Sequence, residues 1–480
     1  MRIMEGLWLD RESSLTLQEQ LVRQIKQYVQ QGRLTPGEAI PSSRELANEL
    51  KLSRNTVVYA YDRLEAEGYL EVQSRSGVFV SPSIFLSQHS KWPEQAKEAQ
   101  PRRIPRPPAL GLPSPFRPCQ PDVNLFPLPI WNRLRGRVLR HQGRALLHYQ
   151  AACISGVPAL RENLASYLRD SRGVQCDWRQ VVITSGSQQA LFILAHILLK
   201  AGDRVYVEDP GYVEARTAWQ NAGARIEAGP ISDEGLTLPT GKADRFSLIY
   251  VTPSRQFPTG VSMSLPRRLA WIDFAARTRT WIIEDDYDSE LRYLAQPLPS
   301  LQSLDRNNRV IYVGTFSKLL FPSLRLGYVV VPEKLMDAFE RTKHLIDDHL
   351  PLVDQATLAA FLESGAFFSH IRRCRRAYAE RQGMFLDLFR KADLPFEFLH
   401  VDGGMNLTGF LPEGSDDMKW SERLRAANFD VPPISHYSIK SGARGLVFGF
   451  TAFTPAVIRS SFDRMSKECF MPAATGRKGL

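Results

Sequence analysis

The 480 residues contain no long apolar run. No stretch reaches the roughly 18–20 apolar residues that cross a bilayer, so no membrane span is expected. Met1-Arg2-Ile3-Met4-Glu5-Gly6 lacks the apolar core of a signal peptide. Cysteine is scarce: five residues (119, 153, 176, 374 and 469), odd in number and without metal-ligand spacing. That pattern excludes a disulfide framework and a zinc site, and it predicts a reducing cytoplasm and no bound metal. Acidic residues are outnumbered, 51 against 61 Lys and Arg, for a net charge of +10. A basic balance suits a polyanionic partner. The apolar share of 43% and charged share of 23% are those of a soluble globular protein. The length exceeds what one core holds, and two or three domains are expected.

The first eighty residues read as a small DNA-binding unit. Leu17, Leu21, Ile25 and Val29 recur every four positions and mark one helix face. Gly32 and Pro36-Gly37 end that helix. Ser42 and Glu45 have capping-box spacing, which predicts a second helix from Ser43 to Leu50. After the turn Lys51-Leu52-Ser53, Ser53 caps a third helix that opens with Arg54-Asn55-Thr56 and stops at Gly68. Leu70-Glu71-Val72 and Val78-Phe79-Val80 alternate like strands joined by Ser74-Arg75-Ser76-Gly77. Helix, helix, turn, helix, hairpin is the order of a winged helix-turn-helix, mainly α with a β-hairpin wing. In that fold Arg54, Asn55 and Thr56 occupy the end that enters the major groove, Arg44 lies where backbone contacts fall, and Arg75 and Gly77 sit at the wing tip.

Regular periodicity disappears from Ser81 to about Pro121. Pro101-Arg102-Arg103-Ile104-Pro105-Arg106-Pro107-Pro108 predicts an extended, basic tether. The expected division is a DNA-binding domain over 1–82, a linker over 83–120, a large body over 121–470 and a tail over 471–480.

In the body, strand-like runs alternate with helical stretches. Val181-Val182-Ile183-Thr184, Val205-Tyr206-Val207, Leu248-Ile249-Tyr250-Val251, Trp281-Ile282-Ile283-Glu284 and Val310-Ile311-Tyr312-Val313 are the strands. Helices are expected near 187–199 and 212–222. This is an α/β domain with a mostly parallel sheet, whose ligands bind at the carboxyl ends of the strands. Polar clusters follow each strand there. Ser185-Gly186-Ser187-Gln188-Gln189 bridges a strand and a helix N-terminus, the geometry of a phosphate site. Asp209-Pro210-Gly211-Tyr212 places an aromatic at a strand end. In Glu284-Asp285-Asp286-Tyr287-Asp288, Asp285 and Tyr287 project to the same side. Gly314-Thr315-Phe316-Ser317-Lys318 supplies a lysine flanked by hydroxyls, with Arg325 seven residues on. A Schiff-base lysine, a carboxylate for a pyridine nitrogen, a tyrosine for a phenolic oxygen, a stacking ring and a phosphate cup together specify pyridoxal 5′-phosphate (PLP).

These motifs carry a resemblance over nearly the whole chain. Pro41-Ser42-Ser43-Arg44-Glu45-Leu46-Ala47 and Ser53-Arg54-Asn55-Thr56-Val57 resemble the GntR-type DNA-binding domain, in which Arg44, Arg54, Thr56 and Gly77 would lie at the DNA interface. From about Phe116 to Met465 the chain resembles the fold-type I aminotransferases, with a smaller C-terminal α+β subdomain. The fusion resembles the MocR subfamily of GntR regulators. The resemblance implies that Lys318 forms the internal aldimine. Asp285 would pair with the ring nitrogen, Tyr287 would bond the ring oxygen, and Tyr212 would stack. Ser187, Gln188, Thr315 and Arg325 would bind the phosphate, and Tyr149 would reach the phosphate of a partner subunit in a head-to-tail homodimer. Double-stranded operator DNA would be the macromolecular partner, and an amine, an amino acid or a B6 vitamer the effector.

Two departures separate this chain from aminotransferases. Their Asn-Pro-x-Asn-Pro-Thr-Gly stretch is here Thr252-Pro253-Ser254-Arg255-Gln256-Phe257-Pro258-Thr259-Gly260, so Phe257 or Gln256 replaces the cofactor-touching asparagine. Val447 falls at the position of the substrate-carboxylate arginine, and Arg444 three residues upstream is the candidate substitute. Transcriptional regulation without physiological turnover is therefore expected; an active aminotransferase with an appended DNA-binding domain is the alternative.

Overall fold

The chain divides into two compact units, Met1–Ala109 and Leu110–Leu480. The computed structural model describes residues 7–13, 15–73, 77–82, 114–239, 241, 245–294, 298–399 and 401–470. Arg75, the tether over 83–113 and the tail over 471–480 lie outside the described residues.

In the first unit α1 (Leu17–Gln30) starts at a capping box in which Thr16 and Glu19 satisfy each other's backbone N–H. Ser42 and Glu45 repeat the device at α2 (Ser43–Glu49), and Ser53 caps α3 (Arg54–Ala66). The four-residue apolar spacing buries Leu21, Ile25 and Val29 against Leu46, Val57 and Leu64. The hairpin of β2 (Leu70–Gln73) and β3 (Gly77–Val80) is completed by β1 (Ala39–Ile40), so the wing is a three-stranded sheet ordered β1-β3-β2. A two-residue strand is too short for any alternation to be visible in the sequence.

The second unit is built on an eight-stranded sheet. Its strands are β4 (Val181–Thr184), β5 (Arg204–Asp209), β6 (Arg225–Ser232), β7 (Gly235–Leu236), β8 (Leu248–Val251), β9 (Trp281–Asp286), β10 (Val310–Thr315) and β11 (Gly327–Val330). The order is β4-β11-β10-β9-β8-β5-β6-β7. Only β11 and β7 run against their neighbours. Helices cover both faces, so the central strands read as continuous apolar runs rather than alternating ones. A smaller antiparallel sheet of β12 (Glu397–Phe398), β13 (Asn406–Phe410) and β14 (Gly445–Gly449) packs on the helix Ala366–Lys391. Phe389 anchors that contact, 5.1 Å from Phe448 of β14 and 5.0 Å from Phe398 of β12 between ring centres. No helix among the described residues is long and apolar enough to cross a membrane.

Residues 114–120, expected in the tether, are part of this second unit. Phe116 is buried, with its ring 5.8 Å from both Phe385 and Phe429. Its carbonyl accepts from Gly449 N at 2.7 Å, and the Gln120 carbonyl accepts from Thr451 Oγ1 at 2.6 Å. Phe116 and Cys119 both hold positive φ, 63° and 59°, a conformation that few non-glycine residues adopt. The strap is irregular, which is why periodicity does not reveal it.

Candidate cofactor cavity and DNA-reading helix

The carboxyl ends of β4, β5, β9 and β10 converge on one cavity of about 520 Å³. It receives Ser187 and Gln188 from after β4, Tyr212 from after β5, Asp285 and Tyr287 from the end of β9, and Thr315 and Lys318 from β10 and the turn beyond it. Arg325 precedes β11. Because β11 is antiparallel, its beginning lies at the same end of the sheet as the others' finish, and Arg325 joins the cavity wall.

The acidic run that closes β9 splits by the two-residue alternation of a strand. Glu284, Asp286 and Asp288 face structural partners. Glu284 accepts from the backbone N–H of Leu301 and Gln302, both at 2.9 Å. Asp286 accepts from Arg172 Nε at 2.9 Å and Tyr312 Oη at 2.6 Å. Asp288 pairs with Arg255 at 3.4 Å, and burial pushes its carboxyl up to about 7 against that opposing charge. Asp285 and Tyr287 face the cavity. Asp285 Oδ2 accepts from Tyr250 Oη at 2.7 Å. Burial raises the Asp285 carboxyl to about 6, while the Tyr250 bond and the Lys318 charge pull the other way.

Several buried polar atoms around Lys318 have no partner: Asp285 Oδ1, Tyr287 Oη, Gln188 Oε1 and Ser317 Oγ. An unpartnered buried polar atom is costly, and native chains keep one only where something else satisfies it. The helix Gly186–Leu198 begins at Ser185 without a side-chain cap, leaving its first N–H groups free for an anion. Arg325 donates to the Ser185 carbonyl at 3.1 Å beside that helix end. Lys318 Nζ donates to the Cys119 carbonyl at 3.1 Å. A cation-accepting carboxylate, a phenol, an anion cup and a lysine thus surround one space, and all lack what a phosphorylated pyridine aldehyde would bring.

The remaining wall is apolar. The Phe257 ring packs edge-on against Tyr437 at 5.0 Å, Tyr212 at 6.1 Å and Tyr287 at 6.2 Å. Gln256 turns away: its amide donates to the Pro210 carbonyl at 2.8 Å and accepts from Thr259. Phe257 alone therefore stands at the asparagine position. Val447 is fully buried in the same cluster, with Phe257, Ile434 and Tyr437. Arg444, the candidate substitute, is not on the cavity wall, and its guanidinium donates to the neighbouring Ala443 carbonyl at 3.0 Å. It lies before β14 begins, and so does not share the face on which Val447 points. Tyr149 stands outside the cavity, 89% exposed, with its ring edge-on to His349 at 6.0 Å.

In the first unit Arg44, Arg54 and Asn55 are exposed. Thr56 is held by Ser53, whose Oγ accepts its N–H at 3.1 Å and lies 2.8 Å from its hydroxyl. Ser53 and Thr56 thus fix the start of α3 and leave Arg54 and Asn55 clear of it. Gly77, with φ at 117°, opens β3.

Residues 17–80 match the family model of bacterial regulatory proteins, gntR family, and residues 135–447 match aminotransferase class I and II. A probable rhizopine catabolism regulatory protein MocR from Rhizobium meliloti is 36% identical over 96% of this chain and 95% of its own length. The chain is a MocR-type transcriptional regulator. Another relative of this type, the pyridoxine biosynthesis regulator PdxR of Corynebacterium glutamicum, is 31% identical over 94% of this chain and 95% of that one. Among solved structures, the α-aminoadipate aminotransferase LysN of Thermus thermophilus, complexed with N-(5′-phosphopyridoxyl)-L-leucine, is 28% identical. It matches 74% of this regulator and 91% of its own chain with a TM-score of 0.68. The regulator's unpartnered atoms and anion cup fit the same group, and its cofactor is pyridoxal 5′-phosphate.

Three parts of the site escape sequence reasoning. Tyr250 looks like strand filler; its role follows from the β8–β9 register, which sets Tyr250 beside Ile283, two residues before Asp285. The strap 117–120 has no periodic signal. Gly327 is the third. A Cβ there would come 2.7 Å from the Gly186 carbonyl carbon and 2.8 Å from its Cα, so β11 needs glycine for the phosphate-side helix to approach. Gly327→Ala is expected to cost about 1–3 kcal/mol of stability and to weaken PLP binding in parallel. Thermal melting of the cofactor-free protein and a PLP titration measure the two.

Proposed function

We propose that this regulator couples operator binding to the state of its PLP site, and that a primary amine, an amino acid or a B6 vitamer is the signal. Bound PLP supplies an aldehyde that condenses reversibly with primary amines. Lys318 would hold it covalently, Asp285 would pair with its ring nitrogen and Tyr287 would donate to its ring oxygen. Tyr212 would lie against the ring, and Ser187, Gln188, Thr315 and Arg325 would hold the phosphate. The observation that carries the sensing reading is Val447. Where an aminotransferase of this family keeps a carboxylate-binding arginine, this chain buries a valine in an apolar cluster. Binding without efficient turnover is what such a site supports. Fluorescence-anisotropy titrations of operator DNA, with PLP, pyridoxamine phosphate, amino acids and amines, are expected to separate at least two affinity classes. One common affinity under every condition would sink the sensing reading.

A head-to-tail homodimer completes the reading. Exposed Tyr149 would then serve the partner's phosphate cup, and the strongly exposed Leu147 and Leu345 would be covered. Two winged helices in one dimer read two half-sites at fixed spacing, an activity that places the protein with DNA in the cytoplasm. Arg54→Ala is expected to weaken specific operator binding by about 1–3 kcal/mol if Arg54 reads a guanine edge. Competition with random-sequence DNA checks this: an equal loss on both DNAs would make Arg54 a phosphate contact.

A further inference from the structure

The cavity's charges show what the far end of an effector must carry. Lys318, Arg325 and Asp285 are committed to the cofactor in the reading above, on which this inference rests. At the mouth, Arg117 pairs with Asp430 at 3.3 Å. Glu422 and Arg425, three residues apart on the helix Asp417–Ala426, line the cavity with opposite charges and together add no net charge to it. Glu214 is left over. Among the described residues no hydrogen bond or ion pair engages its carboxylate; only its backbone carbonyl is used, by Gln188 at 3.1 Å.

Glu214 lies in the first turn of the helix Val213–Asn221, directly after Tyr212, and lines the cavity. Burial raises the pKa values of Tyr212 and Tyr437, the phenols flanking Phe257, and the Glu214 charge adds to both shifts. The same cavity wall carries the aromatic group Tyr212, Phe257 and Tyr437, which clusters with Val447. That wall offers methylene groups a dry surface and offers a carboxylate nothing. His436, also at the mouth, packs edge-on to Tyr437 at 5.0 Å.

We propose that the effector is a primary amine with a second cationic end, an α,ω-diamine in its simplest form. Its near nitrogen points to Lys318, its methylenes lie along Phe257 and Tyr437, and Glu214 receives its far ammonium. The test is an absorbance titration of the PLP-loaded protein with three probes of one chain length: 1,5-diaminopentane, pentylamine and 5-aminopentanoate. The diamine is expected to half-saturate at roughly tenfold lower concentration than pentylamine, a charge-assisted contact, with the amino acid weakest. Glu214→Gln, an exposed substitution, is expected to bring the diamine and pentylamine curves together. Tightest binding by 5-aminopentanoate, or an unchanged diamine preference in Glu214→Gln, overturns this proposal and leaves the sensing reading standing. A spectrum that answers to no amine, together with operator affinity that ignores all three probes, takes both down.

Discussion

Lys318→Ala is expected to abolish covalent attachment of the cofactor outright. The absorbance band of the lysine-linked cofactor should be missing. Borohydride reduction followed by mass spectrometry should find no cofactor on the peptide that contains position 318, and desalting should strip PLP that the parent retains. The effect is all-or-none because no second lysine lines the cavity among the described residues. The fold should survive. Lys318 Nζ makes one hydrogen bond, to the Cys119 carbonyl, and such bonds contribute about 0.5–1.5 kcal/mol net. Operator binding by the variant should become deaf to amines. Retention of the band after desalting would show that the cofactor is attached elsewhere.

Asp285→Asn should move two measurements in opposite directions. In the cofactor-free protein the Asp285 carboxyl stands at about 6 against an ordinary 3.8. Between those values the folded chain keeps a proton that the unfolded chain has released. Stability therefore falls as pH rises through that window, and the penalty is complete above it. A gap of about two units corresponds to about 3 kcal/mol. Asn carries no such charge, so cofactor-free Asp285→Asn should melt higher than the parent at pH 8. The difference should shrink toward nothing as pH falls to 4. PLP affinity should drop at the same time, by about 3–5 kcal/mol if the ring nitrogen loses a buried ionic partner. A variant that melts lower at pH 8, or binds PLP as well as the parent, contradicts the assignment. The carboxylate is costly to the empty fold, which is expected of a group kept for its ligand.

Which parts of this site were legible in the sequence follows from how far apart their determinants lie. Asp285 and Tyr287 were legible because strand alternation is a local rule, and two residues on one face need no tertiary information. Lys318, Thr315 and Arg325 were legible because a strand, a turn and a return strand bring them together within eleven residues. Ser53 and the Ser42–Glu45 capping box were legible because a cap is closed within three residues. Tyr250 was not, since its bond to Asp285 spans 35 positions and depends on strand register. Arg444 lies off the cavity wall for the reverse reason. Three residues in sequence are not one face of a strand, and β14 presents Val447 to the aromatic cluster while Arg444 falls short of it. The choice between Gln256 and Phe257 likewise needed the fold, because only Gln256 finds partners away from the cavity.

The strap at residues 116–120 sets how the protein can be dissected. Cys119 offers its carbonyl to Lys318 and its thiol to Asn406 Oδ1 at 3.4 Å, while Arg117, Pro118 and Gln120 form part of the cavity lining. A catalytic-looking body excised at residue 121, the bound expected from the loss of periodicity, would leave one wall of its own cofactor chamber behind with the discarded half. The last residues of the tether and the first residues of the sensor are the same residues.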